Sequence, residues 1–397
     1  MTRLDRLRQT MVEQDVDLVA LGPNAHLAWL LDVRPHGDER PLLLCVTQGY
    51  AGFLMPSLEA ESARTQTDLP FHTWSDADGP DAAFAKLLQA CGSTPVKNIA
   101  LDETMRADFA GLVQDALPDA KRQFTATTVG ALRMRKDMDE YRKLKRNAVS
   151  ADIAMKAAWS AMKIGMTEVQ VAEIIHDSFK SQGVTPLFAI VGAGGNGAFP
   201  HHHTGETILQ SGDAVVMDIG GGKDGYSSDM TRMAGIGTPP EGYVEVHAVV
   251  EAAVQAAMAV AKPGVKAHVV DDAARDVITQ AGYGEYFMHR TGHGMGVEIH
   301  ETPYLTATSQ TVLEEGMVFS IEPGIYLPGR FGIRLEDIVI LRAYGPEILS
   351  DLPRALEVIN GCSFHLRRHF TGVRCSCRRN VRSATQNCNE PNYLRSP

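Results

Sequence analysis

Cysteine is scarce in this chain of 397 residues: there are six, and only Cys45 and Cys91 precede residue 360. That is too few for a disulfide framework, so these two read as buried thiols of a reduced cytosolic protein rather than as a staple or a nucleophile. A run of roughly 20 uninterrupted apolar residues, the length a membrane span requires, is also missing. The opening residues, MTRLDRLRQTMVEQDVDLVAL, hold no apolar stretch of the kind a secretory signal needs. The expected location is therefore the cytoplasm, with no membrane partner. The main body has no basic patch and the net charge is −10, which argues against nucleic acid. Small molecules or peptides are the expected partners. Two catalytic signatures are absent as well. Without a G-x-S-x-G elbow, a serine hydrolase is disfavoured. The glycine-rich GGGKDG at 220–225 lacks the Ser or Thr after its lysine and the helix that a phosphate loop requires.

What is present is an ordinary globular composition, 44% hydrophobic and 22% charged, in a chain long enough for two domains with a sizeable core. The last stretch differs. From Asn360 onward there are seven arginines and one glutamate, a net of +6, so the preceding body carries −16. This segment has no hydrophobic period. Its four cysteines, Cys362, Cys375, Cys377 and Cys388, do not form the C-x2-C pairs of a zinc module. Residues 360–397 read as a disordered or non-native tail outside the functional fold.

Before the tail, two blocks can be separated. Leu4, Leu7 and Met11 fall on one helical face, followed by the short strand DLVAL and by PLLLCV and GFLMP around a turn, so 1–133 reads as an α/β domain with a mixed sheet. Lys136 to Lys163 is a helix-permissive stretch free of Gly and Pro. Thr167 and Gln170 then form a capping box, and Val171, Ala172, Ile174, Ile175 and Phe179 supply the apolar face of the next helix. Further helices are expected over Gly242 to Ala261 and Ala267 to Ala281. With the strand-like runs between and after them, 134–359 reads as an α+β domain.

The chemistry concentrates in the second block. VVMDIGGGKDGYSSDMTRM places Asp218 at the end of an apolar strand and Asp229 eleven residues later, beyond a glycine turn. A buried carboxylate is costly without a partner, so these two either face water at a hairpin mouth or share a cation. HRTGHGMGVEIHE sets His293 between glycines, SIEPGIY puts Glu322 at a strand end, and GIRLEDIVI puts Glu336 inside a strand. Singly, each is an ordinary loop, turn or exposed strand residue. Jointly, four carboxylates and one imidazole suit a pair of divalent ions such as Mn, Co or Zn, because carboxylates bridge and neutralise hard cations.

The ordered series MDIGG, SSDMTR, HRTGHGMGVEIHE, EPGIY and RLEDIV resembles the pita-bread metallopeptidases of family M24. Within that family it is most similar to the Xaa-Pro peptidases, prolidase and aminopeptidase P. Residues 1–133 are similar to the creatinase/prolidase amino-terminal domain. The resemblance implies a pita-bread catalytic domain with a dinuclear site on its concave face. Asp218 would chelate one ion, Asp229 and Glu336 would bridge, and His293 and Glu322 would complete the other shell. It also implies hydrolysis of the bond before proline by a hydroxide bridging two metals, with Glu322 as general acid/base.

His201, in AFPHHHTG, and His300, in EIHE, would contact the substrate outside the metal shell, with a weaker place for His289. Arg334 would orient the bridging Glu336 or meet a substrate carboxylate. Tyr304 stands where many dipeptidases of the family carry a basic residue that grips the free carboxylate. A dipeptidase is favoured over aminopeptidase P-like cleavage of longer peptides, with a pita-bread lyase or small-molecule hydrolase as the alternative from another class. Short proline-containing peptides are the implied substrates and a homodimer the implied assembly.

Overall fold

The structure, a computed structural model of the chain, describes residues 1–92 and 95–359. The expectation for the 360–397 tail lies outside the described residues.

The first helix, Arg3–Glu13, starts at a capping box between Thr2 and Asp5 and buries Leu7 and Met11, as their spacing predicts. It covers a six-stranded mixed sheet. The strand Leu18–Leu21 pairs antiparallel with Leu43–Val46 on one side and parallel with Asn98–Leu101 on the other. The Cys45 thiol is buried in this sheet, and Cys45 and Cys91 are both free.

The second block is built from two five-stranded sheets, each backed by a pair of helices, with a two-stranded sheet of Gly324–Leu327 and Phe331–Arg334 beside them, in the α+β arrangement expected. Helix Met138–Ala161 begins at an Asp137–Glu140 capping box and helix Glu168–Ser181 at the Thr167–Gln170 box. They pack Ala151, Met155, Val171, Ile175 and Phe179 against Val215, Met217 and Ile219 of strand Ala214–Lys223. The alternate residues of that strand, Ala214 and Val216, point the other way. They join a second core under helices Tyr243–Val260 and Ala267–Gln280, with Phe319, Ile321 and Val339 of the other sheet. Asp218 is next in this alternation, at the edge of that second core. Helix Tyr243–Val260 is apolar enough to cross a membrane by length and composition, but it buries Val246, Val250, Ala253, Val254 and Ala257 in this core.

Two local expectations need correction. Strand Ala214–Lys223 does not end at Asp218; it runs on through the glycines, and the turn is confined to Asp224 (φ 51°) and Gly225 (φ 77°). Close packing explains the glycines: a Cβ on Gly220 would lie 2.2 Å from a ring carbon of Phe188. Glu336 is not inside a strand. It occupies the short link between strands Phe331–Arg334 and Asp337–Arg342, its N–H donating to the Thr231 carbonyl at 3.3 Å.

The two blocks are joined by buried charge. Arg133 reaches Glu301 (2.5 Å) and Glu298 (2.9 Å), and Lys136 pairs with the other oxygen of Glu301.

Candidate metal centre

Strand register brings the first two carboxylates together. Asp218 pairs across the ladder with Thr231, and Asp229 immediately precedes the strand Met230–Ile236 that carries Thr231, which brings it close to Asp218. The facing sheet supplies the rest. His293 lies in strand Gly292–Gly294, and Glu322 directly follows strand Val318–Ile321. Ligand atoms of Asp218, Asp229 and Glu336 lie within 4.8 Å of one another, and so do those of His293, Glu322 and Glu336. Glu336 belongs to both groups and stands between them.

This cluster is electrostatically unfinished as protein alone. Burial pushes the carboxyl groups of Asp218, Asp229 and Glu336 above the usual range, and repulsion among the neighbouring carboxylates adds to the effect. Asp218 Oδ1 and Glu336 Oε1 are buried without a hydrogen-bond partner. His293 donates from Nδ1 to the Gly294 carbonyl at 3.0 Å, which turns Nε2 toward Glu322 Oε1 at 3.2 Å and Asp229 Oδ2 at 3.8 Å. A lone pair aimed at carboxylate oxygens requires a proton or a cation between them. Burial alone would raise the pKa of Glu322, but its hydrogen bond and charge interaction with His293 hold it down at about 2. Oxygen and imidazole donors, orphaned buried oxygens and excess negative charge all fit divalent cations.

Residues 142–343 match metallopeptidase family M24, and residues 3–135 match the creatinase/prolidase N-terminal domain. The chain belongs to metallopeptidase family M24. A dipeptidase PepE from Mycobacterium ulcerans has the same fold, with a TM-score of 0.85 and 35% identity over 90% of this chain and 97% of that one. A prolidase from Thermococcus sibiricus gives a TM-score of 0.83 at 31% identity, over 90% and 98%. The Xaa-Pro dipeptidase of Lactobacillus helveticus is 34% identical over 365 residues, 90% of this chain and 98% of the relative. An M24 chain of this kind is a metal-dependent hydrolase, and the family implies divalent metal ions.

Around the cluster, this M24 peptidase holds its carboxylates in place with neutral and cationic donors. Thr231 Oγ1 donates to Glu336 Oε2 at 2.7 Å. Arg334, expected to orient Glu336 or meet a substrate carboxylate, pairs instead with Asp218. It also donates to Thr231 Oγ1 (3.0 Å), Tyr326 Oη (2.9 Å) and the Pro200 carbonyl (3.2 Å), so it touches Glu336 only through Thr231. His289 donates from Nδ1 to the Arg290 carbonyl and accepts from the Tyr326 hydroxyl at 2.8 Å, a neutral relay behind Arg334.

The other sequence-predicted residues stand at the rim. The His300 ring lies 4.0 Å from that of His293, centroid to centroid. Partial burial and the charges of His293 and Arg290 lower its pKa to about 4, so it is neutral at ordinary pH. His201 is exposed and close enough for its charge to act on His300. Tyr304, 36% exposed, is directly opposite His293 in the ladder.

Several supporting residues carry no sequence signal of their own. Buried Glu168 accepts from Ala193 N (2.8 Å), Asn196 Nδ2 (2.9 Å) and Gly205 N (3.1 Å) and pairs with His202 at 2.8 Å, fixing the loop that carries His201. In sequence it is only a first-turn acid. Thr231 and Tyr326 are likewise ordinary strand residues until the register is known.

Proposed function

We propose that this chain is an Xaa-Pro dipeptidase that holds two divalent cations, Mn foremost with Co or Zn as alternatives, through Asp218, Asp229, His293, Glu322 and Glu336. The observation that carries the reading is the convergence of four carboxylates and one imidazole, with orphaned oxygens on Asp218 and Glu336, in an M24 chain. Similarity to relatives named Xaa-Pro dipeptidase and prolidase supports the substrate class. When bound, such ions acidify water and polarise a carbonyl.

The protein's own groups handle protons and position. Glu322 Oε1 is engaged by Ser320 Oγ (3.0 Å) and faces His293 (3.2 Å), which leaves Oε2 to take a proton from the attacking water and pass it to the departing nitrogen. That nitrogen is proline's. It has no N–H in the peptide, so recognition cannot use that donor and depends on the groups around it. Neutral His300, with His201 beside it, can donate an N–H to the substrate carbonyl as charge builds on its oxygen. Short proline-containing peptides as substrates and a homodimer are proposed on the family resemblance, and a cytoplasmic location on the sequence pattern.

The test is hydrolysis of Ala-Pro, Ala-Pro-Ala and Ala-Ala by metal-stripped protein refilled with Mn. Cleavage of Ala-Pro alone is the expected result. Cleavage of the tripeptide would move the chain to the aminopeptidase P branch. No proline-dependent cleavage with metal bound would send the substrate search to lyase and other hydrolase chemistry.

A further inference from the structure

The His300 side chain has little of its own to hold it. Its ring makes no hydrogen bond among the described residues and lies against that of His293. It also borders a cavity of about 100 Å³, lined further by His26, Glu103, Arg133, Glu298 and Tyr304, so packing does not fix it either. The adjoining ladder is irregular. His293 faces Tyr304 and Gly294 faces Glu301, which leaves Thr302 and Pro303 as extra residues on the His300 side.

Charge holds the segment instead. Glu298 and Glu301 stand two residues before His300 and one after it, and both accept from Nη2 of Arg133, at 2.9 and 2.5 Å. The other oxygen of Glu301 goes to Lys136, whose Nζ also donates to the Arg133 carbonyl at 2.7 Å. Arg133 is anchored in turn by the first block. Its Nη1 donates to His26 Nδ1 at 3.0 Å, which leaves His26 Nε2 to donate to Thr125 Oγ1 at 2.9 Å. Val297, in the same segment as His300, packs against the first-block core that holds Leu7, Trp29 and Phe53. A continuous line of contacts runs from the first block, through Arg133, to both sides of His300.

We infer that Arg133 is a positioning residue: by tying Glu298 and Glu301 to the first block, it fixes the point from which His300 presents its N–H to the substrate. The inference rests on the reading above, in which His300 donates to the substrate carbonyl. One planar guanidinium serves three acceptors in fixed directions, which a lysine ammonium cannot reproduce. Lys136 cannot take over, because of the two carboxylates it reaches Glu301 alone. A donor displaced by about 1 Å loses on the order of 100-fold in rate, so slack in this segment would be felt in turnover. The first block is thereby part of the catalytic apparatus, acting from behind the rim.

The experiment is a double-mutant cycle on Ala-Pro hydrolysis by the Mn-loaded full chain, with kcat, KM, metal content and unfolding temperature read together. Arg133→Lys is expected to lower kcat about tenfold or more, with KM and metal content little changed. In a His300→Ala background the same substitution is expected to change kcat less than about twofold, because the group it positions is gone. Glu298→Ala removes a partly exposed contact and leaves the Arg133–Glu301 pair intact, so it carries the test if Arg133→Lys does not fold. It is expected to lower kcat several-fold, again only while His300 is present. A loss of the same factor in both backgrounds, a loss that follows metal content, or unchanged kcat in both variants overturns the inference alone. Wild-type turnover in His300→Ala overturns the role given to His300, and no cleavage of Ala-Pro by the wild type overturns the functional reading; the inference falls with either.

Discussion

Arg334 is directed at Asp218, with its guanidinium fully enclosed and only one oxygen of Asp218 covered by it. The arrangement fixes the carboxylate's orientation and leaves Oδ1 turned into the cluster as an available donor. Lysine at this position would keep the charge but lose the bonds to Thr231 and Tyr326. Arg334→Lys is expected to weaken metal affinity or activity on the order of 10- to 100-fold, as for other groups that orient metal ligands. Metal titration of the variant checks this; unchanged affinity and activity would mean the contact is ornamental.

Asp229 lies between the two halves of the cluster, with a ligand atom within 4.8 Å of one on Asp218 and with Oδ2 3.8 Å from His293 Nε2. Asp229→Asn keeps its shape and removes its charge. Metal content and peptidase activity are expected to fall together. Full activity in this variant would sink the dinuclear reading.

His300 touches the cluster's edge and is neutral at working pH, with its pKa at about 4. Its expected role is to donate to substrate, so His300→Ala should lower turnover on the order of a hundredfold while metal stays bound. Loss of metal in this variant would place His300 among the ligands instead.

Glu301 gives a pH prediction away from the chemistry. Burial would raise its pKa, but Lys136 and Arg133 hold it below the ordinary carboxylate value. The folded state therefore binds fewer protons than the unfolded state, and the contribution to stability is complete above the unfolded pKa of about 4.3 and is lost as pH falls through the folded value. Glu301→Gln leaves buried Lys136 without a counter-ion and Arg133 with Glu298 alone, and is expected to cost on the order of 3 kcal/mol near neutrality. Unfolding curves of wild type and variant should converge below about pH 4. A gap that persists unchanged into that acid range would show that charge is not its cause.

Much of the architecture was legible because it rests on local rules. The Thr167–Gln170 box starts a helix where the sequence places one, and Leu7 and Met11 are buried as their period requires. The five clustered residues could be picked out as a set, since unpaired acids in apolar runs call for a cation. What the sequence could not convey was register and packing. Glycines 220–222 read as a turn, yet they continue a strand because Phe188 and Phe179 occupy the space beside them. Glu336 read as a strand residue, yet it bridges two strands at the point where the chain changes sheets. Arg334 was expected to orient Glu336 or meet a substrate carboxylate, but it ends its strand and pairs with Asp218. The stacking of Arg290 on Tyr304 depends on pairing across residues distant in sequence and had no local signature.

The most direct test of the account is a titration of metal-stripped protein with Mn, reading bound metal and Ala-Pro hydrolysis in the same samples for wild type and Asp229→Asn. Wild-type activity is expected to rise with bound metal and to level off at two ions per chain, with the variant binding fewer ions and remaining inactive. Ala-Pro hydrolysis by the stripped protein, or a variant that binds two ions and works at the wild-type rate, would contradict it.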